Sequence, residues 1–226
     1  QPYSHRKYCK RSRWAQVSQI MKKLPVYLAS LLGFTGCSLG TLSQRSTPSP
    51  TPLLQADSLD GWETINGGDW TVENGVFSGS KAANIDKHCL LVSTQEFADF
   101  ELSLDYKAIH GNSGFYFRLA PENNGLGFKG YHAEIDATGK NAGGIYDVAV
   151  EWITKPKEEL VAQAFKPGDW NTMKVSAKGK DIIVWLNGHK MSEIDFDRSA
   201  KGKLGFQLHA GENTQIQIKN LNITEL

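Results

Sequence analysis

The chain has 226 residues, 22% charged and 40% hydrophobic, with a formal net charge of +1, which fits one or two ordinary domains. Seven of its 25 basic residues (Arg6, Lys7, Lys10, Arg11, Arg13, Lys22 and Lys23) lie in the first 23 positions with no acid among them, so the rest carries 18 basic against 24 acidic residues, a net −6. That balance speaks against a nucleic-acid-binding body. Two of the three cysteines, Cys9 and Cys37, lie in the head, which leaves no internal disulfide for the body.

The head reads as an address. Met21-Lys22-Lys23 opens a short basic region, and Leu24 to Phe34 is an apolar run too short to span a bilayer. It ends in Phe34-Thr35-Gly36-Cys37, which resembles the lipobox of a bacterial lipoprotein signal peptide. The resemblance implies lipidation of Cys37, with residues 1–37 an upstream segment plus signal. Residues 1–20 are set aside from fold reasoning. Ser38 follows the cysteine in place of an Asp retention signal, which by the same resemblance favours the outer membrane or periplasm. Residues 38–52 are rich in Ser, Thr and Pro and read as an extended tether.

From Leu53 to Leu226 the signals are strands and turns. Trp70 to Val72 and Val76 to Ser78 flank an Asn74-Gly75 turn, the pattern of a type I′ hairpin. Cys89 sits in an apolar run and reads as a buried structural thiol. Phe100 to Tyr106 alternates cleanly; Ser113 to Leu119 follows, with Phe115 and Phe117 on one face and Tyr116 and Arg118 on the other. Lys157 to Phe165 is the one candidate helical turn. Trp170 to Ala177 and Asp181 to Leu186 are further strands, and Asn187-Gly188 is a second hairpin signal. Leu204 to His209 and Ile216 to Ile223 close the chain. This spacing argues for an all-β sandwich of two antiparallel sheets.

The most informative strand is Gly130-Tyr131-His132-Ala133-Glu134-Ile135-Asp136. A strand repeats every two residues, so Tyr131, Ala133 and Ile135 can line a core while His132, Glu134 and Asp136 share the opposite face. In Leu204 to His209, Gln207 and His209 likewise share a polar face. If strands 114–118, 131–136 and 204–209 are neighbours, their polar sets merge into one patch: Tyr116, Arg118, His132, Glu134, Asp136, Gln207 and His209. Glu134 or Asp136 could act as a base, and His209 or His132 as an acid or metal ligand. Arg118 could hold a developing oxyanion or simply pair with Glu134 across strands. The set His132, Glu134, Asp136 and His209 would admit a divalent metal, although no compact ligand motif appears. Asn112 is either a turn device beside Gly111 or a rim contact to ligand hydroxyls, and Tyr146 has the same two readings. Of the tryptophans, Trp152 is the best candidate to face a ligand.

Several segments occur in a recognisable order: Trp70-Thr71-Val72-Glu73-Asn74-Gly75, Gly111-Asn112-Ser113-Gly114-Phe115-Tyr116-Phe117-Arg118, Gly130 to Asp136, Val184-Trp185-Leu186-Asn187-Gly188 and Gly205-Phe206-Gln207-Leu208-His209. Together they resemble the 3-keto-disaccharide hydrolase domain over nearly all of 53–226. The resemblance implies a concanavalin/laminin-G-like jelly-roll β-sandwich. It also implies cleavage of 3-keto-glycosides by lyase and hydratase steps without a redox cofactor, with an oxidised sugar as partner. A carbohydrate-binding lipoprotein on the same scaffold is the alternative.

Overall fold

The computed structural model describes residues 49–226 except Ala149. The signal pattern, Cys37 and the tether up to residue 48 lie outside the described residues. In chain order the strands are β1 (Thr51–Pro52), β2 (Trp62–Ile65), β3 (Asp69–Glu73), β4 (Val76–Lys81), β5 (Cys89–Phe97), β6 (Phe100–His110), β7 (Asn112–Pro121) and β8 (Phe128–Asp136). After β9 (Ile145–Asp147) and β10 (Trp152–Thr154) comes helix α1 (Glu158–Ala164). Strands β11 (Asn171–Lys178), β12 (Asp181–Leu186), β13 (His189–Asp195), β14 (Gly202–Leu208) and β15 (Thr214–Glu225) complete the body.

They form two antiparallel sheets. One runs β13-β12-β11-β6-β15-β4-β3, with β1 added against β15; the other runs β10-β9-β8-β7-β14-β5-β2. The inner faces meet over a core that includes Phe77, Leu91, Phe100, Leu104, Tyr106, Phe115, Phe117, Val175, Phe206 and Ile218. Each such side chain contributes about 1.5–3 kcal/mol by leaving water, and alternation sends every second residue of these strands into it. Cys89 is buried and free, its thiol donating to the Asn66 carbonyl at 3.1 Å.

Both Asn-Gly hairpins form as the sequence predicts. Glu73 pairs with Val76 and Leu186 with His189, and the turn residues Asn74, Gly75, Asn187 and Gly188 all have positive φ, the backbone a type I′ turn requires. The candidate helical turn is α1; Glu158 and Glu159 in its first turn complement its dipole, and it stops at the extended Phe165, two residues before Pro167. Thr51 and Pro52, expected in the tether, instead pair with Ile223 and Asn222.

Gly111 carries the chain from the first sheet to the second in one residue. Its φ is +70°, and a Cβ there would lie 2.4 Å from the Asn213 carbonyl oxygen. Asn112 therefore opens a strand and does not sit in a loop. The expected pairing of Tyr116 with Arg118 on one face fails. Arg118 has φ +51°, and the β7–β8 register shifts between Phe117 and Ala120. This bulge turns the guanidinium away from the polar face. Arg118 is fully buried and donates to the carbonyls of Ala98 (2.7 Å), Gly179 (2.6 Å) and Ser199 (3.4 Å) and to Asp99 Oδ1 (2.8 Å). It ties strand ends together and pairs with Asp99, not Glu134.

Candidate active site

Strands β14, β7 and β8 are adjacent in the second sheet, so the polar faces of residues 114–118, 131–136 and 204–209 do come together. Cross-strand pairing sets them in rows. Gly205 stands opposite Tyr116, Tyr116 opposite His132, His132 opposite Tyr146 and Tyr146 opposite Trp152. Rings follow that row edge-on: Tyr116 to His132 at 4.8 Å, His132 to Tyr146 at 6.3 Å, Tyr146 to Trp152 at 5.4 Å. Trp152 thus ends an aromatic row on the site's face. In the next row Gln207 stands opposite Gly114 and Gly114 opposite Glu134; beyond it Asn112 pairs with Asp136.

Gly114 makes this arrangement possible. A Cβ at that position would lie 1.6 Å from His132 Nε2, so the imidazole lies across the glycine. There its Nε2 is 3.2 Å from the Ser113 carbonyl. A carbonyl only accepts, so Nε2 carries the proton and His132 is the Nε2–H tautomer. Burial holds its pKa down to about 3, so the ring is uncharged at neutral pH. Nε2 is also 3.6 Å from Glu134 Oε2.

Glu134 is only 5% exposed. The Asn112 side-chain amide donates to its Oε1 and, at 3.4 Å, to Asp136 Oδ2. Burial pushes the Glu134 pKa up to about 8, with the Asn112 hydrogen bond opposing and the Asp136 charge reinforcing the rise. A carboxyl poised there can hold and release a proton near neutrality.

Asp136, half-buried at the strand end, accepts from the Thr138 backbone N–H at 2.7 Å and from the Thr138 hydroxyl. It closes a turn. His209 lies just past β14; its Nδ1 is 2.9 Å from both the Ala210 carbonyl and Glu212 Oε1. Among the described residues no group of three His, Cys, Asp or Glu side chains is placed to hold a metal ion. As placed, the donor set His132, Glu134, Asp136 and His209 therefore does not converge as a group of metal ligands; His132 Nε2 faces Ser113, Glu134 meets Asn112, Asp136 meets Thr138 and His209 Nδ1 faces Glu212.

Two residues escape sequence reasoning. His88, just before β5, has its Nδ1 3.1 Å from the Ala210 N–H and 3.0 Å from Gln207 Nε2, and its ring packs edge-on against His209 at 4.7 Å. Lys81, buried at the end of β4, donates to the carbonyls of His209 (2.8 Å) and Glu212 (3.2 Å) and pins their loop. Neither belongs to an alternating polar face.

The other tryptophans among the described residues lie elsewhere. Trp62 and Trp70 pack with the core, and Trp170 sits under Lys219 Nζ at 4.0 Å. Trp185 lines a groove of about 720 Å³ on the outer face of the first sheet. Its charged lining residues Glu101, Lys166 and Lys174 are exposed, whereas His132 and Glu134 are buried on the second sheet.

Solved structures share this architecture. A candidate glycosyl hydrolase of Parabacteroides distasonis is 22% identical, with a TM-score of 0.61 over 79% of this chain and 100% of its own. A carbohydrate binding module from Bacillus subtilis is 17% identical (TM-score 0.56, 71% of this chain and 93% of its own). A Bacillus subtilis protein of unknown function with a galectin-like fold is 13% identical (TM-score 0.59, 74% and 90%). At these identities the likeness is one of fold. A comparison with curated proteins finds no match. Residues 49–224, which hold both sheets and every row of the polar face, match the 3-keto-alpha-glucoside-1,2-lyase-like domain, and the chain belongs to that family.

Proposed function

We propose that the protein cleaves 3-keto-glycosides by elimination, with Glu134 moving the proton. A ketone at C3 acidifies the C2–H bond. The Glu134 carboxylate takes that proton, and the electron pair enters the C2–C3 bond as an enolate. The enolate collapses to the C3 ketone, forms the C1=C2 double bond and expels the C1 oxygen with its substituent. The proton on Glu134 passes to that oxygen, so a sugar or alcohol leaves and the carboxylate is restored. Water added across C1=C2 completes a net hydrolysis. Electrons balance without a redox cofactor. The carrying observation is Glu134 itself: a buried carboxyl with a pKa near 8, beside an uncharged imidazole, in a chain of this family.

The test is direct. The protein is incubated with a 3-keto-disaccharide, and sugar release and the ultraviolet absorbance of the enone are followed. Turnover supports the elimination. Inertness toward every keto-sugar, with saturable binding of unoxidised sugars, leaves a carbohydrate-binding module.

Because the ionised form of Glu134 takes the C2 proton, kcat/KM should rise with pH and level off above about 8. Asn112→Ala removes the hydrogen bond that favours the carboxylate. The inflection in the kcat/KM profile of that variant is expected to move to more alkaline pH; an unmoved inflection would assign the titration to another group. Outside the described residues, the pattern ending at Cys37 supports a lipid-anchored placement in the outer membrane or periplasm, with the tether holding the body off the bilayer.

A further inference from the structure

Elimination needs a donor for the oxygen that becomes the enolate, and Arg118, the sequence's candidate, is turned away from the face. We infer that Tyr116 supplies this donor, and that Gln207 and His88 aim it; the inference rests on the elimination proposed above.

The chain of hydrogen bonds fixes its own direction. The Ala210 backbone N–H points at His88 Nδ1 at 3.1 Å. An N–H can only donate, so Nδ1 is an acceptor and His88 is the Nε2–H tautomer. The Gln207 atom 3.0 Å from that same Nδ1 must then be the amide nitrogen. Gln207 Nε2 has a second hydrogen, and it goes to the Tyr116 phenol oxygen. Tyr116 is thus an acceptor in that bond and keeps its own O–H proton to give away. No acceptor for that proton occurs among the described residues.

Burial raises the Tyr116 pKa above its ordinary value, with the Glu134 charge adding to the rise, so the phenol stays protonated. The ring stands opposite His132, and its hydroxyl reaches the Gln207 amide one row over, where Gly114 separates Gln207 from Glu134. The donor and the proton-transfer carboxyl thus flank one glycine.

A second group fits the same ligand. Gln207 is 3% exposed, and its Oε1 is buried with no hydrogen-bond partner. An orphaned buried acceptor is costly unless a ligand satisfies it. Beside each other stand a free donor, Tyr116 O–H, and a free acceptor, Gln207 Oε1. Their complement is a carbonyl oxygen next to a hydroxyl, the α-hydroxy ketone edge of a 3-keto sugar. Tyr116 would touch the C3 oxygen and act as a catalytic residue. Gln207 would bind the neighbouring hydroxyl and hold Tyr116, and His88 is a positioning residue that acts through Gln207.

The experiment compares the wild-type protein with Tyr116→Phe, His88→Asn and His88→Leu on 3-keto-trehalose, with kcat and KM separated. Asn presents one oxygen that can accept both bonds now made to Nδ1; Leu presents none. Tyr116→Phe should lower kcat roughly 100- to 1,000-fold, the loss of one oxyanion donor, with KM changed by less than about threefold. His88→Leu should fall similarly, and His88→Asn should stay within about fivefold of wild type. Nitrogen-15 NMR of the wild-type protein near pH 7 should show His88 as the Nε2–H tautomer. Tyr116→Phe within about threefold of wild type overturns the donor role. Equal impairment of the two His88 variants, an unimpaired His88→Leu, or a protonated Nδ1 overturns the positioning role. A wild-type protein that does not consume the substrate sinks the elimination reading instead, and this inference with it.

Discussion

Replacing Glu134 with Gln is expected to lower kcat on a 3-keto-disaccharide by roughly a thousandfold, the usual reach of a positioned acid–base group. Gln keeps the shape and can still meet the Asn112 amide through its oxygen, so the fold should survive while proton transfer does not. The same change carries a second signature. The folded-state pKa of Glu134 is about 8 against an ordinary 4.5. Between those values the folded protein holds a proton that the unfolded chain has released. The wild type therefore loses stability as pH rises through that window, and its disadvantage is complete above about 8. Gln has nothing to ionise. Thermal melts should show the two proteins nearly equal at pH 4, with the Gln variant melting higher at pH 9 by on the order of 10 °C. Lost turnover without the pH-dependent gap would mean Glu134 is catalytic but not buried as described. A gap without lost turnover would remove it from the chemistry.

The second large effect concerns stability alone. Arg118→Ala is expected to destabilise the body by about 3–5 kcal/mol, a cost in line with emptying a large buried site and stranding the acceptors around it. Three backbone carbonyls, at Ala98, Gly179 and Ser199, lose a charged donor at once, and a cavity opens where the side chain lay. Two neighbours leave little room for collapse. A Cβ at Gly202 would lie 2.2 Å from the Leu119 carbonyl oxygen, and one at Gly130 2.8 Å from that of Arg118. Arg118→Lys should recover only part of the loss, because one ammonium cannot fork to carbonyls on separate segments. At a temperature where the variant stays folded, kcat should remain near wild type, since Arg118 does not reach the polar face. Normal melting with lost turnover would return Arg118 to the catalytic role the sequence suggested.

These two residues show what was legible in the chain. The two-sheet sandwich and both hairpins follow from period-two alternation and from Asn-Gly pairs, which are local signals. The grouping of Tyr116, His132, Glu134 and Gln207 was legible for the same reason: each lies on a regular strand, and the strands are neighbours. Arg118 was misread because the bulge after Phe117 shifts the period, and one extra residue sends a side chain to the other face. Asp136 and His209 stand at strand ends, where alternation does not reveal that a nearby turn or loop residue also takes up the polar group, here Thr138 and Glu212. His88 and Lys81 were invisible because their partners lie 119 or more residues away in sequence, and no short-range pattern marks such a contact.

The pairing of Thr51 with Ile223 has a consequence for how this body can be joined to other things. The first described strand and the last run side by side in opposite directions, and the Leu53 N–H donates to the Leu221 carbonyl at 2.9 Å. The start of the first described strand and the end of the last therefore lie at one corner of the first sheet. A short linker there would close the body into a ring, and the chain could then be reopened at a distant surface turn without disturbing either sheet. Any module joined after β15 would emerge beside the residues that lead into β1, while the Glu134 face belongs to the other sheet.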